Sequence, residues 1–413
     1  MARNWGGVVK NLGGFKFSGD FRLRSDAIFR SGNKVAGPAQ NVRERYRLRL
    51  NMDRELSEQF SAHVQLSSGP INNPVTLDSE FGGISARQPF FILEVYADFH
   101  PNKNLSLRAG KMPEVFADNL RFLFDDDIRF NGFQEIAKLP LNSNVLGIKS
   151  VEFRAGQYIL TNPNVQILSP TSPLTSIGLA PGTNVRSSKL FHQGFGILGD
   201  IKDVWSHQFF ADVQWYRNPN QIALASTPEG FPVLVNRALG LALSGGLTGV
   251  GNAMTTPGGA IYSAPNFQIV RINYRITHKG WKLGDRDLPA WLDLQASRNV
   301  GTSQLRDAFM ATGSLGEVKK FTDVRLLYIF SIKDANALIS QVTDDDLGTN
   351  SGVNIATHHI RVDLGLTRFL QWQNLLFIQD ERRVSNPAAK FFVPLQRGAS
   401  TQYRVQSQFQ FNF

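Results

Sequence analysis

The stretch Asn41–Asp53, NVRERYRLRLNMD, places arginine at positions 43, 45, 47 and 49, with Val42, Tyr46, Leu48, Leu50 and Met52 filling most of the alternate positions. A period of two belongs to a β-strand, whose successive side chains point to opposite faces; on a helix these arginines would spiral round the axis and form no face. One face is therefore cationic, with neighbouring arginines about 7 Å apart. Such a row repels itself and needs water, counter-ions or carboxylates. Taken alone, it fits either the solvated face of a soluble sandwich or the wall of a wet cavity.

The rest of the chain decides. Residues 15–29 alternate Phe15, Phe17, Phe21, Leu23, Ala27 and Phe29 with Lys16, Ser18, Asp20, Arg22, Arg24 and Asp26. The last strand, TQYRVQSQFQFNF, sets Tyr403, Val405, Phe409, Phe411 and Phe413 against Gln402, Arg404, Gln406, Gln408, Gln410 and Asn412. The same rhythm predicts strands over 14–30, 41–54, 57–68, 88–100, 103–112, 127–138, 144–160, 189–202, 204–217, 265–279, 288–300, 318–332, 335–343, 355–366, 369–383 and 399–413. Connections between them alternate long and short, beginning with a long one. Loops 161–188 and 218–264 are rich in Pro, Gly, Ser, Thr and Asn, as exposed loops are.

This alternation is the pattern of an even-stranded transmembrane barrel, with short periplasmic turns, long outer loops and both ends at the periplasmic rim. A sandwich has no reason to sort its loops by length. The expected fold is all-β: an antiparallel transmembrane barrel of sixteen strands over 14–413, preceded by a short periplasmic segment, 1–13. Arginine facing lipid near the middle of a barrel costs about 2–4 kcal/mol. Four would cost about 8–16 kcal/mol, as much as a domain's whole stability. The row is therefore expected to face the lumen, which at sixteen strands is an aqueous channel.

Composition agrees. The chain has 413 residues, no cysteine, and 44 basic against 34 acidic residues, a net charge of +10. The absence of cysteine excludes disulfides, thiol chemistry and Cys-ligated metal. No stretch reads as a membrane helix, since Ala238 to Met254 is interrupted by glycine and polar residues. Met1 to Gly14 has no apolar core of an export signal, so such a signal is expected to have been removed.

Two further patterns point to a family. The chain ends on Phe413, with Phe411, Phe409 and Tyr403 on the same strand face; this resembles the terminal aromatic signal by which bacterial outer-membrane proteins reach their assembly machinery. Over nearly its full length, and least over 161–264, the sequence resembles the bacterial "putative porin" family. The resemblance is carried, in order, by FSGDFRLRSDAIF, NVRERYRLRLNMD, NNPVTLDSEFGG, FFILEVYADFHPNKNLSLRAGKM, FDDDIRFNGFQE, KKFTDVRLLYIFSIKDANALISQVTDDDLGT and HHIRVDLGLTRFLQWQNLLF. It implies a passive channel in the outer membrane of a Gram-negative cell, in contact with lipid and lipopolysaccharide. By analogy with porins of this size it also implies a homotrimer. No nucleophile elbow or His-acid-Ser grouping stands out in the sequence, so no enzymatic activity, cofactor or nucleic-acid partner is expected.

In general porins the third outer loop folds inward and narrows the channel. Here 113–126, PEVFADNLRFLFDD, takes that place, with Glu114, Asp118, Asp125, Asp126 and Asp127 on it and its edge. The expected opposing wall is Arg22, Arg24, Arg43, Arg45, Arg47 and Arg49, with Arg108, Arg154, Arg271, Arg275, Arg325, Arg361 and Arg404 as further lumen candidates. Acid facing base across the gap would orient water and polar solutes, and the excess of arginine favours anions. The bland reading pairs the arginines with Asp20, Glu44 or Asp53 and makes Asp125–Asp127 a solvated turn. Asp344, Asp345 and Asp346 form a weak candidate for a divalent cation, without the spacing of a calcium loop. Trp215, Trp281, Trp291 and Trp372 are expected in an interfacial girdle. The functional alternatives are a channel specific for phosphate or an organic acid, and a non-conducting barrel that sheathes a partner.

Overall fold

The computed structural model describes residues 14–30, 39–70, 75–82, 87–141, 147–160, 187–202, 204–219, 266–284, 286–344, 346–347, 352–382 and 401–413. Sixteen long strands make up the wall. These are β1 Lys16–Arg30, β2 Ala39–Ser57, β3 Phe60–Ser68, β4 Phe90–Asn102, β5 Leu105–Met112, β6 Phe130–Pro140, β7 Ile148–Ile159, β8 Lys189–Ile201, β9 Trp205–Arg217, β10 Gln268–Leu283, β11 Arg286–Asn299, β12 Asp307–Gly316, β13 Val324–Lys333, β14 Ile355–Gly365, β15 Leu370–Glu381 and β16 Gln402–Asn412. A two-residue strand, Ser79–Glu80, adds to β2.

Every strand pairs antiparallel with its chain neighbours, and β1 closes on β16 from Asp20↔Asn412 to Arg30↔Gln402. Closure leaves no open edge, which is how such a sheet satisfies its backbone without water. At the seam Gly19 and Phe413 exchange backbone hydrogen bonds of 2.8 and 3.0 Å. A β-carbon on Gly19 would lie 2.8 Å from the Phe413 ring, so the terminal ring needs a glycine beneath it.

The period-two faces separate as the residue types demand. Val42, Phe133, Phe153, Trp215, Ile272 and Phe413 are exposed on the outside, and Arg22, Arg24, Arg45, Arg47, Gln406 and Gln408 are buried inside. Trp215, Trp281 and Trp372 also lie on the outer face. Trp291 does not. It shares a face with the buried Asp293 and Gln295 and packs on the inner core, so it is no girdle residue.

Three expectations need correction. Residues 307–316, expected to be loop, form β12, while 335–343, expected to be a strand, form a turn and the 3-10 helix Ser340–Val342. The count of sixteen survives because one strand is lost and one gained. In DAFMATGSLG small residues occupy both faces, so alternation is faint; in 335–343 both faces are buried. Asp127 belongs to the loop before β6, not to the strand.

The third correction concerns the lumen, which is not wet throughout. Phe122, Leu123 and Phe124 of the third long loop meet Ala337, Leu338, Ile339 and Val342 of the seventh, and both pack on Ile269, Met310, Ile329 and Phe377 of the inner wall. Each such side chain gains about 1.5–3 kcal/mol from burial, which outweighs leaving the loops in solvent. Apolar residues on the inner face of β10, β12, β13 and β15 are therefore the seat of this core rather than flaws in the pattern.

Candidate pore constriction

The arginine wall is built by register. Across β1 and β2, Arg22 faces Arg47 and Arg24 faces Arg45, while Asp20 faces Arg49 and Asp26 faces Arg43. Like charges placed directly opposite are destabilising. The second long loop supplies the remedy: Asp78 accepts from Arg22 at 2.5 Å and from Arg24 at 2.8 Å, and lies 3.7 Å from Arg45. Burial raises the Asp78 carboxyl, but the surrounding arginines, Arg22 foremost, outweigh it and hold the group far below the usual carboxylate range. Asp26 takes Arg43 and Arg404 at 2.8 Å each, and Asp20 takes Arg47 at 2.9 Å and Arg49 at 2.6 Å.

The third loop, 113–129, reaches this wall with its C-terminal end. Asp127 accepts from the Leu77 backbone at 3.0 Å and lies 3.7 Å from Arg47. The expected gap between acid and base is therefore absent on this side: Asp127 touches the arginine wall, because ion pairs in a low-dielectric lumen gain more from contact than from facing across water. Arg121, with φ +63°, binds Asp126 at 2.9 Å and crosses to the seventh loop, meeting Asp346 at 2.7 Å and Asp344 at 3.2 Å. Arg404 reaches Asp346 at 2.5 Å. Burial pushes the Asp344 carboxyl up to about 6. Asp346 is held well below its usual range, since Arg404, Arg121 and Arg24 outweigh its burial. Carboxylate oxygens of Asp125, Asp126 and Asp127 lie within 4.8 Å of one another, but Arg22, Arg24, Arg45 and Arg121 line the same small cavity and occupy the role a cation would fill. Asp345 lies outside the described residues.

The other end of the third loop is tied to the opposite part of the wall. Glu114 contacts His192 Nδ1 at 2.8 Å, and His192 Nε2 contacts Asp212 at 2.7 Å. Arg271 binds Asp212 at 2.8 Å and donates to Gln295 at 3.0 Å; Gln295 in turn donates to Asp118 at 2.8 Å. Burial pushes the Asp118 carboxyl up. The Phe116 ring rests on His192, with centroids 4.3 Å apart. Glu114 and Asp118 thus sit apart from Asp125–Asp127, and Arg271 is spent on holding the loop.

A second set of arginines remains half-exposed to the lumen: Arg49, Arg108, Arg154, Arg275, Arg325 and Arg361. Their side chains are 23–35% exposed, while the carboxylates beside them, Asp20, Asp98, Glu152, Asp293 and Asp363, are 0–14% exposed. The guanidinium is presented and its partner lies behind it.

Asp78, Arg121, His192 and Asp212 were not singled out by sequence, and Asp346 only as a weak cation ligand, not as a partner of Arg121 and Arg404. Each acts through a partner far away in the chain, which alternation along one strand cannot reveal. A trace existed for His192 and Asp212, both polar residues at inward positions of their strands.

Residues 38–158 match the family described as "Putative porin". No curated protein matches the sequence. Among solved structures, the high-pH structure of OprB from Pseudomonas putida aligns over 100% of this chain and 98% of that one, at 10% identity and a TM-score of 0.54. An anion-selective porin from Comamonas acidovorans aligns over 97% and 99%, at 13% identity and 0.45. OmpF of Salmonella typhi in complex with daunomycin aligns over 96% and 97%, at 8% identity and 0.46. The likeness to OprB is one of fold.

Proposed function

We propose that this chain, whose residues 38–158 match the putative-porin family, is a passive channel for small hydrophilic solutes across the bacterial outer membrane, with a preference for anions. The carrying observation is the set of half-exposed lumen arginines whose carboxylates are buried behind them. A solute passing the wall meets guanidinium groups first, and rings of arginine mark anion pores. The paired wall of Arg22, Arg24, Arg45 and Arg47 contributes less, because Asp20, Asp26, Asp78 and Asp127 neutralise it. The apolar outer face suits lipid, the Phe413 strand suits delivery by the barrel-assembly machinery, and a homotrimer is the assembly implied by the family likeness. This reading assigns no catalysis.

The test is the reversal potential of the reconstituted channel in a tenfold potassium chloride gradient. The expected sign is that of chloride permeating faster. A potassium-selective sign would overturn the anion preference. A barrel that folds but carries no current would favour the sheath alternative, in which the second, third and seventh loops close the lumen.

A further inference from the structure

Two apolar side chains sit on the inner wall at the edge of the loop core, next to arginines. Register sets Trp291, Ser314, Leu327 and Arg361 in one row across β11 to β14. All four side chains point into the lumen, and Trp291 and Leu327 are only partly buried, at the rim of the core. Arg275 lies over the Trp291 ring at 5.0 Å. A tryptophan and a leucine on a wet wall lose by exposure unless something apolar covers them.

The row also holds polar capacity. Ser314 is 7% exposed, and its hydroxyl has no hydrogen-bond partner among the described residues; the same holds for the Thr312 hydroxyl one pair along β12. Arg361 directs Nε to Asp363 at 2.7 Å, which leaves its terminal nitrogens to donate. From Ser314 to Arg361 is two strand spacings, roughly 10 Å, about the reach of a flat ring bearing one acid group once the arginine leans toward it.

We propose that this row is a binding site for a small aromatic carboxylate. The carboxylate takes the fork of Arg361, the ring lies over Ser314 between Trp291 and Leu327, and the Ser314 hydroxyl finds its partner on the ligand or on a water it carries. Arg275 fixes the indole by stacking on it. The proposal rests on the channel reading, naming a solute class that the wall would select, but its test does not need an open pore.

Equilibrium dialysis of radiolabelled benzoate against the full chain in detergent micelles, with folding checked by β-sheet circular dichroism, reads the site directly. One saturable site per chain is expected, displaced by unlabelled benzoate far better than by acetate. Arg361→Gln should weaken binding about tenfold, the loss of a charge-assisted pair. Trp291→Ala should weaken it about fivefold, and Trp291→Phe should restore most of that, since a ring is retained. Absence of saturable binding, equal displacement by acetate, or indifference to both Arg361→Gln and Trp291→Ala would overturn the proposal. Chloride current with no benzoate site would sink this inference alone; benzoate binding without current would sink the channel reading alone.

Discussion

Replacing Arg121 with alanine should loosen the third and seventh loops from each other and raise single-channel conductance. Among the described residues, Arg121 is the cation that pairs with all three of Asp126, Asp344 and Asp346. Removing one partner of a buried ion pair costs about 3–5 kcal/mol, because the remaining charge is left without compensation. Here Asp126 and Asp344 would lose their ion pair while Asp346 keeps Arg404, and burial already pushes the Asp344 carboxyl up to about 6. A cost of that size shifts the docked-to-undocked ratio by about 10²–10⁴-fold. The apolar contacts of Phe122 with Ile339 and its neighbours remain, so the loops should loosen while the barrel stays closed. Arg121→Lys should recover part of the effect only, since one ammonium cannot reproduce a fork that spans two loops. The measurement is conductance in a planar bilayer; an unchanged value in Arg121→Ala would mean that the loops are held by their apolar core alone.

Asp78→Asn should be the most damaging single change in the arginine wall. Asp78 sits between two cross-strand pairs of arginines, and its buried carboxylate meets Arg22, Arg24 and Arg45. Asparagine keeps the shape and an acceptor oxygen but not the charge. Arg22 and Arg24 would then be buried with no full counter-charge, at a cost of about 3–5 kcal/mol. The expected result is a lower midpoint of urea unfolding in micelles, with part of the loss recovered in the double variant Asp78→Asn/Arg22→Gln, which removes one of the stranded cations. A midpoint unchanged by Asp78→Asn would show that water, not the second loop, neutralises the wall.

Much of the wall was legible from residues 41–53 outward. Alternation fixes which side chains share a face, and the cost of arginine in hydrocarbon decides which face is inside. Loop lengths gave the strand number, and Phe413 marked the closing strand. What alternation could not show is which segments fold into the lumen. β12 was missed because Ala308, Thr312 and Ser314 alternate with Ala311 and Gly313, too alike in polarity to signal a face. Residues 335–343 looked like a strand because the stretch is apolar, but its apolar groups serve the loop core. The acids of 113–129 were found by sequence, yet their placement depends on His192, Arg271 and Gln295 at one end and Leu77 and Arg47 at the other. Such contacts join distant parts of the chain, and no local period encodes them.

The central claim is a closed cylinder whose inward positions outside the loop core are wet and whose outward positions are apolar. The native chain has no cysteine, so single cysteines can report on it directly. In lipid vesicles, a membrane-impermeant sulfonated thiol reagent should label cysteine at 108 and at 275, where half-exposed arginines face the lumen, and should spare cysteine at 107 and 274, where Leu107 and Tyr274 face outward. Equal labelling within each pair, or labelling of 107 and 274 in preference to 108 and 275, would contradict it.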